Sequence, residues 1–383
     1  MTVLRPTIGR SDLEPIVPRV VGRDVEAGEW QCEPLSYVEL NPVSGGVYRV
    51  TGAGWSLILK VLRHPAGRAL PTGEPVPPGW GTDPRHYNYW LREAEILGSD
   101  ELDDLAGISA PRVFGIVERS STSRWLWLED VPGVDVEWSD NRYRAVARRL
   151  GQFNGSYVAG RPIPAESSDA FLPTWVADSA DAITALANGE NLDHPTLARL
   201  CPPDVVARVI RLWDERHALF ATLARLPQCF AHLDAFGSNL LFCNGEVDAR
   251  PTVVDWAFAG RAAVGEEIVQ LGMLTPIMTM TSIEDGRRVA DAVFDGYLAG
   301  LEEAGAACDP DDVALAYSAG AALRWGLVAY RSIAGALEHE DVAATFEEFY
   351  GRPLDEVVDH TAATQEWLLD EADRAYRLAS RHQ

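Results

Sequence analysis

One stretch of the sequence, residues 230–256, decides the fold. It reads Phe-Ala-His232-Leu-Asp234-Ala-Phe-Gly-Ser-Asn239-Leu-Leu-Phe, then a polar segment, then Thr252-Val-Val-Asp255-Trp256. Three short apolar runs at 229–231, 240–242 and 252–254 are bounded by turn-forming residues, a pattern typical of buried strands. Asn244-Gly245 predicts a hairpin turn between the second and third runs. The stretch is therefore predicted to form buried strands joined by polar loops.

The polar side chains of this stretch fall at strand ends or in the loops between strands. Asp234, Asn239 and Asp255 supply three oxygen ligands within a small space. A site with few carboxylates suits Mg²⁺ that substrate phosphates also hold. The alternative is an ordinary hairpin whose Asp and Asn residues cap the loop. His232, the five-residue spacing from Asp234 to Asn239 and a second Asp after a buried strand occur together, which favours the functional interpretation.

This pattern resembles the catalytic loop and metal-binding aspartate of the aminoglycoside phosphotransferase and choline kinase group, small-molecule relatives of the protein kinases. The resemblance implies that Asp234 accepts the proton of the substrate hydroxyl. It implies that Asn239 and Asp255 hold Mg²⁺ and that His232 supports the loop from behind.

The sequence departs from the family pattern at two positions. Leu233 lies between His232 and Asp234, where the family often has Gly. Asp255-Trp256-Ala257 lies where protein kinases have Asp-Phe-Gly, a difference that is normal for the small-molecule branch.

Composition limits the class of protein. A length of 383 residues suggests two lobes or domains, and a hydrophobic content of 47% is typical of a folded chain. A net charge of −24 makes nucleic acid an unfavourable partner and weakly favours a cationic substrate, although solubility alone is the simpler interpretation. No apolar run reaches the length of a membrane span, the N-terminus lacks a signal-peptide core, and the five cysteines have no metal spacing. We expect a cytoplasmic protein with no membrane partner.

Lys60 is the single lysine among the 33 basic residues, and the other 32 are arginines. It lies inside the apolar run Trp55-Ser-Leu-Ile-Leu-Lys60-Val-Leu. The use of lysine here, in a chain that otherwise uses arginine, suggests a site that an arginine side chain would not fit. A compact ammonium on a slim stem fits a buried phosphate pocket, whereas the wider guanidinium suits it less.

The segment before Lys60 has strand-like patterns at 35–40, 47–51 and 55–62, with a turn at 41–46. This order matches the nucleotide-covering hairpin and lysine strand of the kinase fold. The predicted phosphate-facing groups are the backbone N–H groups of Ser44, Gly45, Gly46 and Val47, where glycine permits close approach. Residues 63–83, rich in Pro and Gly, predict an extended loop.

A helix is predicted at 84–97. In the kinase fold the helix after the lysine strand carries a Glu that pairs with the lysine, and both Glu93 and Glu95 qualify. Helical spacing places Glu93 beside Trp90 and Leu97 on the buried side of the helix, so we predict that Glu93 pairs with the lysine. The alternative is that Glu93 is an ordinary solvated residue on the surface.

Strands are predicted at 112–118 and 124–129. The second ends in Glu129-Asp-Val131-Pro-Gly133, which the resemblance places at the hinge between the lobes. Adenine is expected to bond there to main-chain groups of Glu129 and Val131.

The remaining chain is predicted to be mostly helical, with long helices from Asp140 and at 203–225. Strands with one helix, followed by helices, indicate an α+β, two-lobed, protein-kinase-like fold. The predicted divisions are an N-terminal extension at 1–28, a nucleotide-binding lobe at 29–131 and a helical lobe with the acceptor site at 132–383. In the extension, Ser11 is predicted to cap one short helix ending at Val21.

Two features after Trp256 concern the acceptor. The family commonly has an Asp opening the next helix, and Glu266 is expected to stand in its place, with no long activation segment before it. Tyr317, Trp325 and Tyr330 either line an acceptor pocket, where a cation rests on their ring faces, or belong to the core.

The predicted function is ATP-dependent, Mg²⁺-dependent phosphorylation of a hydroxyl group on a small molecule, an antibiotic or a metabolite. The alternative is a kinase-fold protein that binds nucleotide without phosphoryl transfer, and nucleotidyl transfer is a third possibility. The sequence carries no code for the acceptor or for the oligomeric state.

Overall fold

A computed structural model describes residues 6–22, 28–35, 43–68, 75–77, 79–338, 347 and 350–382. The strands are β1 (Trp30–Pro34), β2 (Ser44–Gly52), β3 (Trp55–Arg63), β4 (Val113–Ser120), β5 (Ser123–Glu129), β6 (Gln228–Ala231), β7 (Leu240–Leu241), β8 (Thr252–Val253) and β9 (Gly260–Ala263). The helices are α1 (Arg10–Leu13), α2 (Val17–Val21), α3 (Arg92–Leu97), α4 (Asp140–Val158), α5 (Phe171–Ala177), α6 (Ala180–Ala187), α7 (Pro195–Leu200), α8 (Pro203–Leu223), α9 (Val269–Ile277), α10 (Ile283–Glu303), α11 (Pro310–Trp325), α12 (Ala329–Glu338) and α13 (Leu354–Ala379).

The first part of the chain forms a five-stranded antiparallel sheet in the order β1-β2-β3-β5-β4. The long helices follow it in the chain, with two short two-stranded sheets among them. This arrangement confirms the predicted α+β, kinase-like fold. Within the described residues, no helix combines the length and apolar character needed to cross a membrane.

The sheet separates two cores, because alternate residues of a strand point to opposite faces. On β3, Leu57, Leu59 and Val61 are buried in one cluster, whereas Leu62 belongs to the other, larger cluster. Lys60 alternates with Leu59 and Val61, so it points to the face that α3 and the helical part of the chain cover.

The N-terminal segment covers the opposite face of the sheet. Leu13, Ile16 and Val17 are buried there against Tyr48 and Trp127. The prediction of one helix capped by Ser11 is wrong: Gly9 is the N-cap of α1, and a second helix follows. Pro18 lacks a backbone N–H and is tolerated only in the first turn of a helix, so it lies in the first turn of α2, which begins at Val17, and does not continue α1.

The start of the sheet differs from the prediction. The first described strand is β1, and most of the predicted strand at 35–40 lies outside the described residues. Gly45 and Gly46 open β2 and are not in a turn, since Ser44 pairs with Leu62 of β3. The register shifts between Ser44 and Val47, which a φ of 117° at Gly46 permits.

The predicted helix at 84–97 is wrong in its first half, because α3 begins only at Arg92 and turns precede it. The buried guanidinium of Arg92 donates to the carbonyl oxygens of Pro84, His86 and Tyr87. Those carbonyls are thereby satisfied without an α-helix, so the segment folds around Arg92.

The strands of the 230–256 stretch pair differently from the predicted hairpin. β7 pairs with β8, but they are joined by the longer segment 242–251, in which Asn244-Gly245 is not a two-residue turn. Arg142 of α4 donates to the carbonyl oxygens of Gly245 and Glu246 and so shapes this loop. β6 pairs with β9, which was not among the predicted strands.

Helices α4 and α10 pack closely against each other, and together they hold strand β6 in place. A Cβ at Gly296 or Gly300 of α10 would overlap backbone carbonyl oxygens of α4. This approach lets Tyr297 donate to Asn154 Oδ1 at 2.7 Å, while Asn154 Nδ2 donates to the carbonyl of Phe230 at 3.0 Å. The helix pair thus holds the strand that leads into His232 and Asp234.

We predict that Leu13→Ala lowers the free energy of unfolding by about 2–5 kcal/mol, because it opens a cavity under the sheet. Val20→Ala, at a half-buried position of the same segment, is the matched control and costs less. Urea unfolding monitored by tryptophan fluorescence measures both. Equal losses for the two variants would contradict the N-terminal helices being part of the core.

Candidate functional site

The site is centred on Lys60, whose ammonium lies between two carboxylates. Lys60 Nζ is 2.6 Å from Glu93 Oε2 of α3 and 2.8 Å from Asp255 Oδ1. Three parts of the chain that are distant in sequence therefore meet at one charge. Glu95, the other glutamate considered, instead accepts a hydrogen bond from the hydroxyl of Tyr89 on the surface.

The charges in this group depend on one another. Burial would lower the pKa of Lys60, but Asp255 and Glu93 hold it above its ordinary value. Burial raises the pKa of Glu93, and the Lys60 ammonium opposes that rise. Burial would also raise the pKa of Asp255, but Lys60 holds it below its usual range. The group thus keeps a cation and an ionised Asp255 at neutral pH.

Asp255 has an unusual backbone conformation, with a φ of 64° in the left-handed region, and precedes a short 3-10 helix at Trp256–Phe258. Trp256 is fully buried and stacks parallel to Phe230, with ring centroids 6.2 Å apart. The edge of the His232 ring also meets Trp256 at 4.8 Å. This packing fixes the peptide that carries Asp255.

His232 connects the two loops as a neutral imidazole. Its Nε2 is 3.0 Å from the carbonyl oxygen of Val254, and its Nδ1 accepts the N–H of Asp234 at 3.2 Å. This pattern requires the proton on Nε2. Burial lowers the pKa of His232 to about 4, so the ring stays uncharged and serves as a brace.

Leu233 occupies the position that the family often fills with Gly, and its φ is 64°. A left-handed conformation costs a residue with a Cβ roughly 1–2 kcal/mol. Its peptide groups are held from both sides: Glu267 Oε2 accepts the N–H groups of His232 (2.6 Å) and Leu233 (3.2 Å), and Arg324 donates to the Leu233 carbonyl. These buried bonds offset the strain.

Glu266, which is expected to stand where the family has an Asp, accepts the N–H of Ala263 at 2.8 Å. Its neighbour Glu267 supports the loop that carries Asp234. The sequence showed two adjacent glutamates, and only the turn between β9 and α9 decides which one faces the loop.

Three donors hold the Asp234 carboxylate. Gln270 Nε2 donates to Oδ1 at 2.8 Å, Arg324 to the same oxygen at 3.2 Å, and Asn239 Nδ2 to Oδ2 at 3.1 Å. Burial raises the pKa of Asp234, and Arg324 opposes the rise. The sequence analysis missed Gln270 and Arg324, because no local motif connects either residue to Asp234.

The three aromatic residues considered for an acceptor pocket lie in different surroundings. Tyr317 packs in the core against Phe294, and Tyr330 donates to the carbonyl of Glu190. Trp325 alone reaches the site, where its Nε1 donates to Gln270 Oε1 at 3.0 Å.

The residues expected to contact phosphate lie beside Lys60, since Val47 is its register partner on β2. A Cβ at Gly46 would overlap the ring of Tyr48, and one at Gly45 would lie 2.7 Å from Val61 Cγ1. Ser44 Oγ accepts the N–H of Gly46 at 3.4 Å. The glycines are thus required by local packing as well as by any ligand.

The expected hinge residues follow β5. The N–H of Glu129 donates to the carbonyl of Arg112 at 2.9 Å, so this N–H is already paired. Val131 is buried, and within the described residues its main-chain groups have no hydrogen-bond partner. Between them, Asp130 is fixed by Arg49 at 2.8 and 3.1 Å.

The oxygen ligands expected to hold a metal are compatible with Mg²⁺. The amide nitrogen of Asn239 is turned to Asp234, and its Oδ1 accepts no hydrogen bond from the described residues. The Asp255 side chain is 43% exposed. The described residues contain no group of three or more His, Cys, Asp or Glu placed to hold a metal.

Residues 41–308 match the phosphotransferase enzyme family, APH. The chain belongs to this family. The match confirms the resemblance seen in the 230–256 stretch. No curated protein sequence matches this APH member significantly.

Solved structures share the fold of this APH member. A microcompartment-associated aminopropanol kinase has 14% identity and a TM-score of 0.55, covering 91% of this chain and 95% of its own. A choline kinase from Cryptosporidium parvum Iowa II has 11% identity and a TM-score of 0.51, covering 91% and 92%. An amicoumacin kinase in complex with AMP-PNP, Ca²⁺ and its ligand has 16% identity and a TM-score of 0.50, covering 86% and 88%.

We predict that Glu267→Gln changes how stability depends on pH. Burial raises the pKa of Glu267 to about 7, above its ordinary value of 4.5, so its contribution is present at low pH and is lost as pH rises through 7. Glutamine keeps an oxygen acceptor but does not ionise. The variant's free energy of unfolding should therefore gain about 3 kcal/mol relative to the wild type between pH 5 and 8.

Urea unfolding at several pH values measures this difference. The exposed Glu302→Gln is the control for the same exchange at a surface position. A pH-independent difference for Glu267→Gln would show that this side chain does not titrate in the folded protein.

Proposed function

We propose that this protein transfers the γ-phosphoryl group of ATP to a hydroxyl group of a small molecule. The observation that carries the proposal is the meeting of Lys60 with Asp255, next to an Asp234 carboxylate whose orientation is fixed by three donors. Little covalent chemistry is needed from the protein in phosphoryl transfer, so positioning and charge stabilisation account for most of the rate.

The nucleotide would lie between the sheet and the helical part of the chain. Lys60, positioned by Glu93, would bind the α- and β-phosphates, and the backbone N–H groups of Ser44 to Val47 would lie above them. The adenine would bond to main-chain groups of Glu129 and Val131. In this proposal, residues 29–131 bind nucleotide, residues 132–383 carry the catalytic loop and the acceptor site, and 1–28 is an extension.

Asn239 and Asp255 would hold Mg²⁺ through Asn239 Oδ1 and the Asp255 carboxylate. When bound, the metal would screen the charge of the phosphates. Asp255 is suited to this role because Lys60 keeps its pKa low, so it is ionised at neutral pH.

Asp234 would orient the acceptor hydroxyl and take its proton. Its Oδ1 already accepts two hydrogen bonds, whereas Oδ2 accepts one, from Asn239. Oδ2 therefore has remaining acceptor capacity, and the side chain is 16% exposed, enough for contact with a bound molecule. His232, which is neutral, would support the loop without exchanging protons.

A small molecule is favoured as the acceptor. The structural relatives named above are kinases of aminopropanol, choline and amicoumacin. A nucleotide-binding protein without transfer is disfavoured, because Lys60, Asp234, Asn239 and Asp255 are all present and grouped. We place the protein in the cytoplasm, where ATP is available, without a nucleic-acid or membrane partner.

We predict that Asp234→Ala reduces turnover by at least about 10²-fold. Nucleotide affinity should stay within threefold of the wild type, since Asp234 contacts no residue assigned to the nucleotide. A screen of hydroxylated metabolites and antibiotics by coupled ADP production identifies the acceptor and measures turnover. Binding of a fluorescent ATP analogue measures affinity.

The control is Asp248→Ala, on the loop 242–251, which should retain full activity. Full turnover in Asp234→Ala would reject its role as the base. Release of pyrophosphate or an AMP adduct would instead indicate nucleotidyl transfer.

We predict that Lys60→Arg weakens nucleotide binding by about tenfold or more, even though the charge is kept. The ammonium has carboxylate oxygens at 2.6 and 2.8 Å, and the wider planar guanidinium does not fit that gap. Arg119→Lys on β4 is the control for exchanging the two cations elsewhere in the sheet. Unchanged affinity for the ATP analogue in Lys60→Arg would contradict the assigned role.

A further inference from the structure

Arg324, at the end of α11, is the most unusual charged residue near Asp234. Only 3% of its side chain is exposed, and its guanidinium bonds to two parts of the catalytic loop. One nitrogen donates to Asp234 Oδ1 at 3.2 Å, and another donates to the backbone carbonyl of Leu233. It therefore holds both the carboxylate and the strained peptide that precedes it.

Four aromatic rings surround the guanidinium. Its central carbon lies 4.8 Å from the ring centroid of Phe171, 5.1 Å from Trp175, 5.6 Å from Trp325 and 5.9 Å from Phe258. Rings at these distances attract a cation through their π faces, most strongly where water is excluded. We call these four rings with Arg324 the arginine cage.

Hydrogen bonds fix the cage. Trp175 Nε1 donates to the carbonyl of Arg324 at 2.8 Å, and Trp325 Nε1 donates to Gln270 Oε1 at 3.0 Å. Gln270 in turn donates to Asp234. The cage is thus connected to the reacting carboxylate by two routes, through the guanidinium and through Gln270.

The charge of Arg324 persists despite its burial. Burial lowers its pKa to about 10, while Asp234, Glu267 and Glu266 oppose the decrease, so it is a cation throughout the physiological range. Its Nε has no hydrogen-bond partner among the described residues. Burying a cation with an unpaired N–H donor lowers the stability of the folded protein. An apolar side chain would be more stable at this position if its role were only structural.

We propose that Arg324 positions Asp234 for phosphoryl transfer and fills the aromatic cage, so that the acceptor presents no cationic group there. The proposal rests on the proposed function for its catalytic part and on the cage geometry for its specificity part. The acceptor would bring a neutral or anionic part beside Asp234.

The test uses Arg324→Ala, which vacates the cage, with guanidinium chloride as the probe. Low-millimolar guanidinium should quench or shift the fluorescence of the cage tryptophans in the variant at least tenfold more strongly than in the wild type, relative to equal NaCl. This binding measurement needs no acceptor. It therefore distinguishes failure of the cage assignment from failure of the proposed phosphoryl transfer.

With an acceptor found by ADP production, turnover of Arg324→Ala should fall by about 10²-fold, as expected for a displaced catalytic group. Affinity for a fluorescent ATP analogue should stay within threefold of the wild type, because Arg324 bonds to the Asp234 loop and to none of the residues assigned to the phosphates. Guanidinium should restore part of the rate. The loss of a merely structural residue would lower stability without a rate that guanidinium restores.

Two further variants keep the test decisive. Arg208→Ala, which removes surface ion pairs with Asp370 and Asp373, should leave turnover unchanged and unaffected by low-millimolar guanidinium. Arg324→Lys retains a charge but cannot bond to Leu233 and Asp234 as a fork, so it should lose turnover without rescue by guanidinium. It takes the place of the alanine variant if that variant does not fold.

Turnover within twofold of wild type in Arg324→Ala or Arg324→Lys would overturn the positioning role, and so would a lost turnover in folded Arg324→Ala that guanidinium does not restore. Absence of guanidinium binding to a folded Arg324→Ala would overturn the cage. Efficient turnover by the wild type of an acceptor whose cationic group must lie beside Asp234 would overturn the specificity.

Discussion

The site depends on one buried interaction, the contact of a single ammonium with two carboxylates. Lys60 comes from the sheet, Glu93 from α3 and Asp255 from the loop after β8. Lys60 keeps Asp255 ionised at neutral pH, so this partly exposed carboxylate is available to a further cation. In the proposed function, that cation is a metal ion that arrives with the phosphates of the nucleotide.

The second constraint is backbone strain on both sides of that group. Leu233 and Asp255 are non-glycine residues with φ near 64°. Leu233 directly precedes Asp234, the proposed base, and Asp255 is itself a proposed metal ligand. Neither conformation would persist without its supports. Glu267 and Arg324 bond to the first peptide, while the buried Trp256 holds the second. The fold thus places its buried charges where they maintain strained loops, instead of distributing them through the core.

Some of this arrangement could be predicted from the sequence, because local chemistry specified it. The solitary lysine in an apolar strand and the His232 to Asp255 pattern identified the site, and helical spacing selected Glu93. Arg324 lies 90 residues beyond Asp234. Its role depends on how α11 crosses the loop, which no periodicity reveals. The turns before α3 were not predicted, because the buried Arg92 overrides the local helical propensity there. The pairing of β6 with β9 was not predicted either, because it depends on a strand that is distant in the sequence.

The most direct test of the central claim is an anomalous diffraction measurement on crystals grown with Mn²⁺ and a non-hydrolysable ATP analogue. The account predicts an Mn²⁺ peak within coordination distance of the Asp255 carboxylate and Asn239 Oδ1, with Lys60 Nζ against the analogue's phosphates. A peak elsewhere, or a nucleotide bound away from Lys60, would contradict it.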